Sequence, residues 1–341
     1  MYKAAQAGDD AAVRAELSRG SDPNETSYSN RTTPLMVTAR QGHVEVVRLL
    51  LDHKADPNLS DSIGETALME GAENGHTEVV RVLLERGADP NRTNADGETA
   101  LMKAAGSGRR IVNIDASGRM SSRRGKSKGN AAIARLLLDH EADPNASTQG
   151  VTALMVAAGW GNDDTVVTLL EKGAAVNEKD GSGRTALMKA AFEGHAATVK
   201  ALLNRGAKVN EKDGQGTTAL QLAVQAGNIE TVVALIAKGA DVNARDNYGQ
   251  SILITASYHG HTEVVRVLVA RGADVNARST KGHAPLSNAA YNGHTATVQF
   301  LLEKGADLHA KDENGKTALR IAVERGHPDT AEFLRKAGAT E

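Results

Sequence analysis

Histidine is the side chain best suited to relay protons or hold a metal near neutral pH. Seven of this chain's eleven histidines stand directly after a glycine, and six of them recur at one register position: His43, His76, His195, His261, His294 and His327. A metal centre would need such rings to converge on one ion at about 2 Å. Their separations within 43–76 and 195–327 are 33 residues or multiples of it. That places one ring on each of a series of stacked elements, about 8–10 Å apart at ordinary helix spacing. They form a ladder rather than a cluster, so no metal and no cofactor is expected. Asn130, Asn162 and Asn228 take the same place elsewhere, which suits a capping role at the start of a helix.

Other chemistry-bearing patterns lead to the same end. Gly125-Lys126-Ser127 matches the tail of a phosphate-binding loop, but Met120 stands where that loop needs a glycine. There is no His-Glu-Xaa-Xaa-His, and no Ser/His/Asp set stands apart from the repeat. Cysteine is absent, which removes disulfides, thiolate metal sites and thiol nucleophiles, and suits a reducing, cytoplasmic setting. Glu45, Glu78, Glu230 and Glu263 recur at one register position on a polar helix face. The chain is therefore not expected to be an enzyme. Its net charge of −2 points to no nucleic-acid or membrane partner for the chain as a whole. No apolar run approaches the roughly 20 residues that span a bilayer. The first ten residues lack the apolar core of a signal peptide. With 40% hydrophobic but 3% aromatic residues, the core must be Ala, Leu and Val, which suits thin layers of helix on helix.

The elements that position these residues repeat. Thr33, Thr66 and Thr99 are 33 residues apart, as are Thr152, Thr185, Thr218, Ser251, Ala284 and Thr317. Each opens a phrase such as Thr-Pro-Leu-Met (33–36) or Thr-Ala-Leu-Met (66–69). Gly-His follows in register, and phrases such as Gly-Ala-Asp-Pro-Asn (87–91) and Gly-Ala-Asp-Val-Asn (239–243) close the unit. Leu68 and Ala72 lie at helical spacing. Val79, Val80, Leu83 and Leu84 give a second amphipathic helix. Gly75 and Gly87 end the two helices where a left-handed residue is wanted. Asp213–Gly216 and Asp246–Gly249 are turn chemistry for a tight hairpin between units. One helix pair cannot bury its own apolar faces, so the pairs must stack.

These phrases resemble ankyrin repeats, over nearly the whole chain and at fixed period, with wording similar to bacterial members. The resemblance implies an all-α, ankyrin-repeat solenoid of stacked helix–turn–helix units with short β-hairpin or turn connections. It also implies one domain over 1–341, about ten units with a cap at each end, complete as an array. Met36, Met69, Met102, Met155 and Met188 stand where the family usually has histidine. They make either a Met-rich binding groove or a flexible core filler, the second being the simpler reading.

The period breaks once. Thr152 follows Thr99 by 53 residues, and Asn145 follows Thr99 by 46 where Asn91 follows Thr66 by 25. About 21 residues, Arg109–Gly129, therefore enter between the two helices of the third full unit. Arg109, Arg110, Arg119, Arg123, Arg124, Lys126 and Lys128 face a single acid there, Asp115. Without these, 33 basic and 41 acidic residues remain, a net −8. Ile111, Val112 and Ile114 suit a short strand or pack back on the helices, and 118–129 reads as flexible. The insertion is either a docking arm for nucleic acid or an acidic partner, or a solvated loop whose length costs little.

In ankyrin proteins the hairpin tips and the inner-helix positions before Gly-His form a concave, partner-binding face. By register, Trp160, Phe192, Tyr248, Tyr258, His259 and Tyr291 fall on it. Large aromatics where the fold needs none serve contact, although packing on neighbouring units would also use them. Arg40, Gln41, Glu73 and Asn74 make the N-terminal end polar. The expected function is a monomeric protein–protein interaction scaffold that grips its partner mainly with its C-terminal half.

Overall fold

A computed structural model of the chain describes residues 1–27, 29–106, 110–114, 120–124 and 130–340. Among the described residues there are 20 helices, arranged as ten pairs. Five pairs make up one compact unit, Met1–Gly181, and five make up a second, Ser182–Glu341. Inner helices run six to eight residues and outer helices nine. Helices this short are unstable alone, so packing must hold them. The layers are built from the expected residues: Leu68, Ala72, Val79, Val80 and Leu83 are at most 2% exposed. No described helix is long and apolar enough to cross a membrane.

The threonine of the period is an N-cap. The Thr33 hydroxyl accepts a hydrogen bond from Met36 N at 3.2 Å, and Thr66, Thr99, Thr152 and Thr185 do the same for Met69, Met102, Met155 and Met188 at 3.3 Å. This satisfies one orphan N–H at each helix start. The five methionines are each 1% exposed, so they are core fillers and not a groove. Met36 Sδ additionally accepts from Thr33 N at 3.4 Å, in the place where Gln221 Oε1 accepts from Thr218 N at 3.0 Å. Ala284 offers no hydroxyl. There Ser287 reaches back, accepting from Ala284 N at 3.0 Å and donating to Ala284 O at 2.9 Å.

The connections are tight turns. Asp246 Oδ1 accepts from Tyr248 N and Gln250 N at 2.8 and 2.9 Å, and Asp312 Oδ1 accepts from Asn314 N and Lys316 N at 2.9 Å. Ser147–Thr148 pairs antiparallel with Val151–Thr152. Single bridges join Ser60 to Thr66, Lys212 to Thr218 and Arg245 to Ser251.

The histidines do not cap their helices as the sequence suggested. No cap hydrogen bond is made by the His43, His76, His261, His294 or His327 side chain. Each Nε2 instead reaches a backbone carbonyl one repeat earlier: Arg40 O from His76 at 3.0 Å, Tyr258 O from His294 at 3.1 Å, Tyr291 O from His327 at 3.0 Å. A carbonyl only accepts, so Nε2 carries the proton. Asn162 and Asn228 do the same with their amides, to Ala105 O at 3.0 Å and Phe192 O at 3.3 Å. Asn130 alone of these three caps, accepting from Ile133 N at 3.0 Å. Gly42, Gly260 and Gly293, each standing before one histidine, are the seats for the next ring, that of His76, His294 and His327. At Gly293, where φ is +71°, a Cβ would lie 2.6 Å from His327 Nδ1.

A second ladder runs along the closing asparagines. Asn243 Nδ2 donates to Gly272 O at 3.0 Å while its Oδ1 accepts from Asp274 N at 3.0 Å. Asn58, and Asn276 in the other unit, repeat this with Gly87 and Asp89, and with Gly305 and Asp307. Both ladders join one repeat to the next.

In the inserted stretch, Arg110–Ile114 and Met120–Arg124 form an antiparallel strand pair, Val112 opposite Ser122. The expectation of a short strand at 111–114 therefore holds. Of 118–129, Met120–Arg124 lies in a strand, and the rest falls outside the described residues. Ladder pairing uses backbone groups, which Ser and Arg supply as readily as apolar residues. Arg110, Arg123 and Arg124 fall in these strands. Arg109, Arg119, Lys126 and Lys128 lie outside the described residues.

Candidate protein-binding groove

In the second compact unit, hairpin tips and inner helices enclose a groove of about 690 Å³. Its helical wall comes from Ile252–His259, Pro285–Tyr291 and Ala318–Glu324, through Tyr258, Tyr291 and Ile321 among others. Its hairpin side carries Gln250, His283, Asp312 and Lys316. Tyr258 and Tyr291 stack at 6.1 Å between ring centroids with 27° between planes. His259 stands edge-on to Tyr258 at 5.2 Å. The Arg325 guanidinium lies over the other ring, 4.0 Å from the Tyr291 centroid. Tyr258 and Tyr291 remain 42% and 36% exposed, although aromatic rings are usually buried.

The histidine ladder holds this wall in place. Tyr258 O accepts from His294 Nε2 and from Asn292 Nδ2, the latter at 2.7 Å, and Tyr291 O accepts from His327. The main chain that carries these rings is thus anchored by residues that the next repeat supplies. His259 is held below the usual histidine range by burial first, and then by the nearby His261 and His294. Its ring stacks on His261 at 5.6 Å.

Of the six residues predicted for binding, the structure therefore brings three together: Tyr258, His259 and Tyr291. Phe192, 40% exposed, ends the inner helix Ala186–Glu193 of the same unit. Tyr248, 66% exposed, sits on a hairpin tip, its carbonyl accepting from Thr280 N and Oγ1. Trp160 ends the helix Ala153–Trp160 in the first compact unit and is half-buried. The sequence reading places none of Arg325, Asn288, Lys316, Ile321 and Glu324 on the binding face. Counting forward 66 residues, two periods, from His259 reaches Arg325, which was the signal available. Of the outer-helix aromatics, Phe300 is 5% exposed and Phe333 is half-buried.

The first compact unit holds a largely buried charge network instead. Lys103 Nζ lies 2.8 Å from Glu65 and 2.9 Å from Glu98, and Asn94 Nδ2 donates to both carboxylates. Lys103 and Glu65 side chains are 8% and 9% exposed. Burial works against the ammonium charge, but the hydrogen bonds to Glu65 and then Glu98 outweigh it and hold Lys103 above the usual lysine range. Arg40 chelates Glu70 through Nε and Nη2. On the outer helices the repeating glutamates pair at the surface, as Glu78 does with Arg48 at 2.8 Å, and such pairs add little stability.

Stacked helix pairs, a period of 33 residues and a groove between hairpin tips and inner helices define a repeat protein of the interaction-module class. The family model for ankyrin repeats matches residues 1–94, 126–180, 170–246, 187–279 and 253–340. The chain belongs to the ankyrin repeat family. It is 37% identical over 67 residues to a putative ankyrin repeat-containing protein of Treponema pallidum (strain Nichols), covering 20% of this chain and 22% of that protein. It is 36% identical over 67 residues to Protein HOS4 of Saccharomyces cerevisiae (strain ATCC 204508 / S288c), covering 20% of this chain and 6% of that protein. The chain thus spans about a fifth or less of the curated relatives it matches.

Proposed function

We propose that this chain is a protein–protein interaction scaffold that grips its partner in the groove of its second compact unit. The observation that carries the reading is the exposed Tyr258–Tyr291 stack, closed by Arg325. Solvent-facing Tyr rings held rigidly beside an Arg are the composition of an interface hot spot, and the fold has no need of them. Phe192 and Tyr248 extend the surface along the same unit, and Trp160 adds a contact on the first. Ankyrin repeats are generally protein-interaction modules, and the reading assigns no catalysis and no cofactor. It treats 1–341 as one monomeric interaction domain acting in the cytoplasm, a setting that the lack of cysteine suits.

Affinity capture from the native host with wild type and a Tyr258→Ala/Tyr291→Ala variant tests it. The partner recovered with wild type should be lost with the variant, while far-UV circular dichroism stays unchanged. Equal recovery by a folded double variant removes the groove from the function.

A second reading rests on the concentration of seven basic residues against one acid in 109–129. In it, the insertion binds nucleic acid or an acidic partner. A gel shift that weakens steeply with salt and is lost on deleting 109–129 supports it. No shift from the intact chain at low salt excludes it.

A further inference from the structure

The groove reading leaves open what chemistry the partner must bring, and Arg325 answers it. Its guanidinium is stacked on Tyr291, and among the described residues it has no hydrogen-bond acceptor and no carboxylate partner. Stacking occupies one face of a planar cation and leaves its five N–H donors directed outward in the plane, a fork that matches a carboxylate in bidentate fashion. The stack also restricts the side chain in advance, so less entropy is lost on binding.

Of the two acids that line the groove, Glu324 is ion-paired and Asp312 is engaged through one oxygen. Asp312 Oδ1 accepts two backbone N–H groups of its own turn. Glu324 sits between Lys316 Nζ at 2.5 Å and Arg320 Nε at 2.8 Å. Those hydrogen bonds, to Lys316 first and Arg320 second, hold it below the usual carboxylate range. The lining therefore presents an unmatched cation beside two exposed rings, with Gln250 and Asn288 as neutral hydrogen-bonding groups.

Resting on the reading of this groove as the binding face, we propose that it selects a partner segment bearing a carboxylate. The occupant is an extended peptide stretch with an aspartate or glutamate that Arg325 clamps, next to an apolar or aromatic residue laid against Tyr258. Charge complementarity and the stacked geometry carry the assignment.

The test is selection of a random dodecapeptide phage library on the immobilised full chain. Recovered peptides should be enriched in Asp or Glu at one aligned position over the unselected library. The strongest peptide and its twin with Asn or Gln at that position are then titrated by fluorescence anisotropy. Wild type should prefer the acidic form by about tenfold or more. The Arg325→Gln variant should lose that preference yet keep the weaker binding of the amide twin, and Arg325→Lys should recover only part of it. Tyr258→Ala should weaken both peptides alike. Peptides without acidic enrichment, or a preference unchanged in Arg325→Gln, overturn the inference and leave groove binding itself standing. Self-association of the chain that is lost with Tyr258→Ala/Tyr291→Ala also overturns it, by seating a second copy there. Failure of the groove reading shows separately, as partner capture that survives removal of both tyrosines.

Discussion

Replacing Gly293 by Ala probes the seat that joins one repeat to the next. Two costs arise. Gly293 has φ +71°, a left-handed conformation that costs a residue with Cβ about 1 kcal/mol. The new methyl would also lie 2.6 to 3.0 Å from Nδ1, Cγ and Cε1 of His327, so the ring must move. Moving it strains the packing and breaks the 3.0 Å hydrogen bond to Tyr291 O, together about 2 kcal/mol. Gly293→Ala should therefore cost about 3 kcal/mol. Gly305→Ala is the control, since Gly305 has φ +85° and a methyl there would meet nothing within 4 Å, and it should cost about 1 kcal/mol. His327→Ala should cost about 1 kcal/mol, the hydrogen bond alone. In Gly293→Ala/His327→Ala the clash has no partner, so the double variant should cost about 2 kcal/mol, well below the sum of the two singles. Urea unfolding followed by far-UV circular dichroism measures the stability. Hydrogen exchange over Pro285–Tyr291 and Pro328–Lys336 shows where it is lost, which matters in a repeat array that need not unfold in one step. Equal costs for Gly293→Ala and Gly305→Ala, or additivity in the double variant, would refute the seat.

Three further outcomes follow from the geometry. Lys103→Met leaves two partly or fully buried carboxylates without their cation and should destabilise the chain by about 3 kcal/mol; a change within about 0.5 kcal/mol in urea unfolding would show the network to be idle. Ala284→Ser supplies the hydroxyl that the other repeats have and should stabilise the helix start by about 1 kcal/mol, read as a higher urea midpoint. His259, depressed in the folded chain, binds its proton more weakly there than when unfolded, so its contribution is unfavourable once protonation begins. Stability should fall as pH drops below the ordinary histidine pKa of about 6.5, and His259→Gln should flatten part of that slope; parallel melting-temperature profiles for variant and wild type would exclude the effect.

Most of the fold was legible because its signals are local. Thr33 and its successors cap helices a few residues away, and Val79, Val80 and Leu83 mark a buried stripe by their spacing. What stayed hidden lies between repeats. His327 meets Tyr291 across 36 residues and Asn243 meets Asp274 across 31, and spacing inside one repeat says nothing about such partners. Reading His43 and its successors as caps followed from their place at a helix start, where the side chain turns away to the preceding repeat. The candidate groove was half legible. Tyr258 and Tyr291 stood out as aromatics on positions the fold leaves free, whereas nothing in the spacing sets Arg325 apart from solvated charge. The methionines were the reverse case, a visible pattern that proved to be packing.

The rung at Asn130 bears on how such a chain can grow. A Cβ at Gly75 would find Asn130 Nδ2 at 3.7 Å, against 2.6 Å for the ring seated at Gly293, and the Asn130 carbonyl oxygen is turned to its own helix. This is a slack joint, and the 21 extra residues enter beside it. Asn162 still fastens to Ala105 on the near side of the insertion and Asn91 to Asp143 beyond it, at 3.0 and 2.8 Å. Lengthening at a slack joint leaves the remaining fastenings in phase. Such joints are where an array of this kind can acquire a new appendage without relearning how to stack.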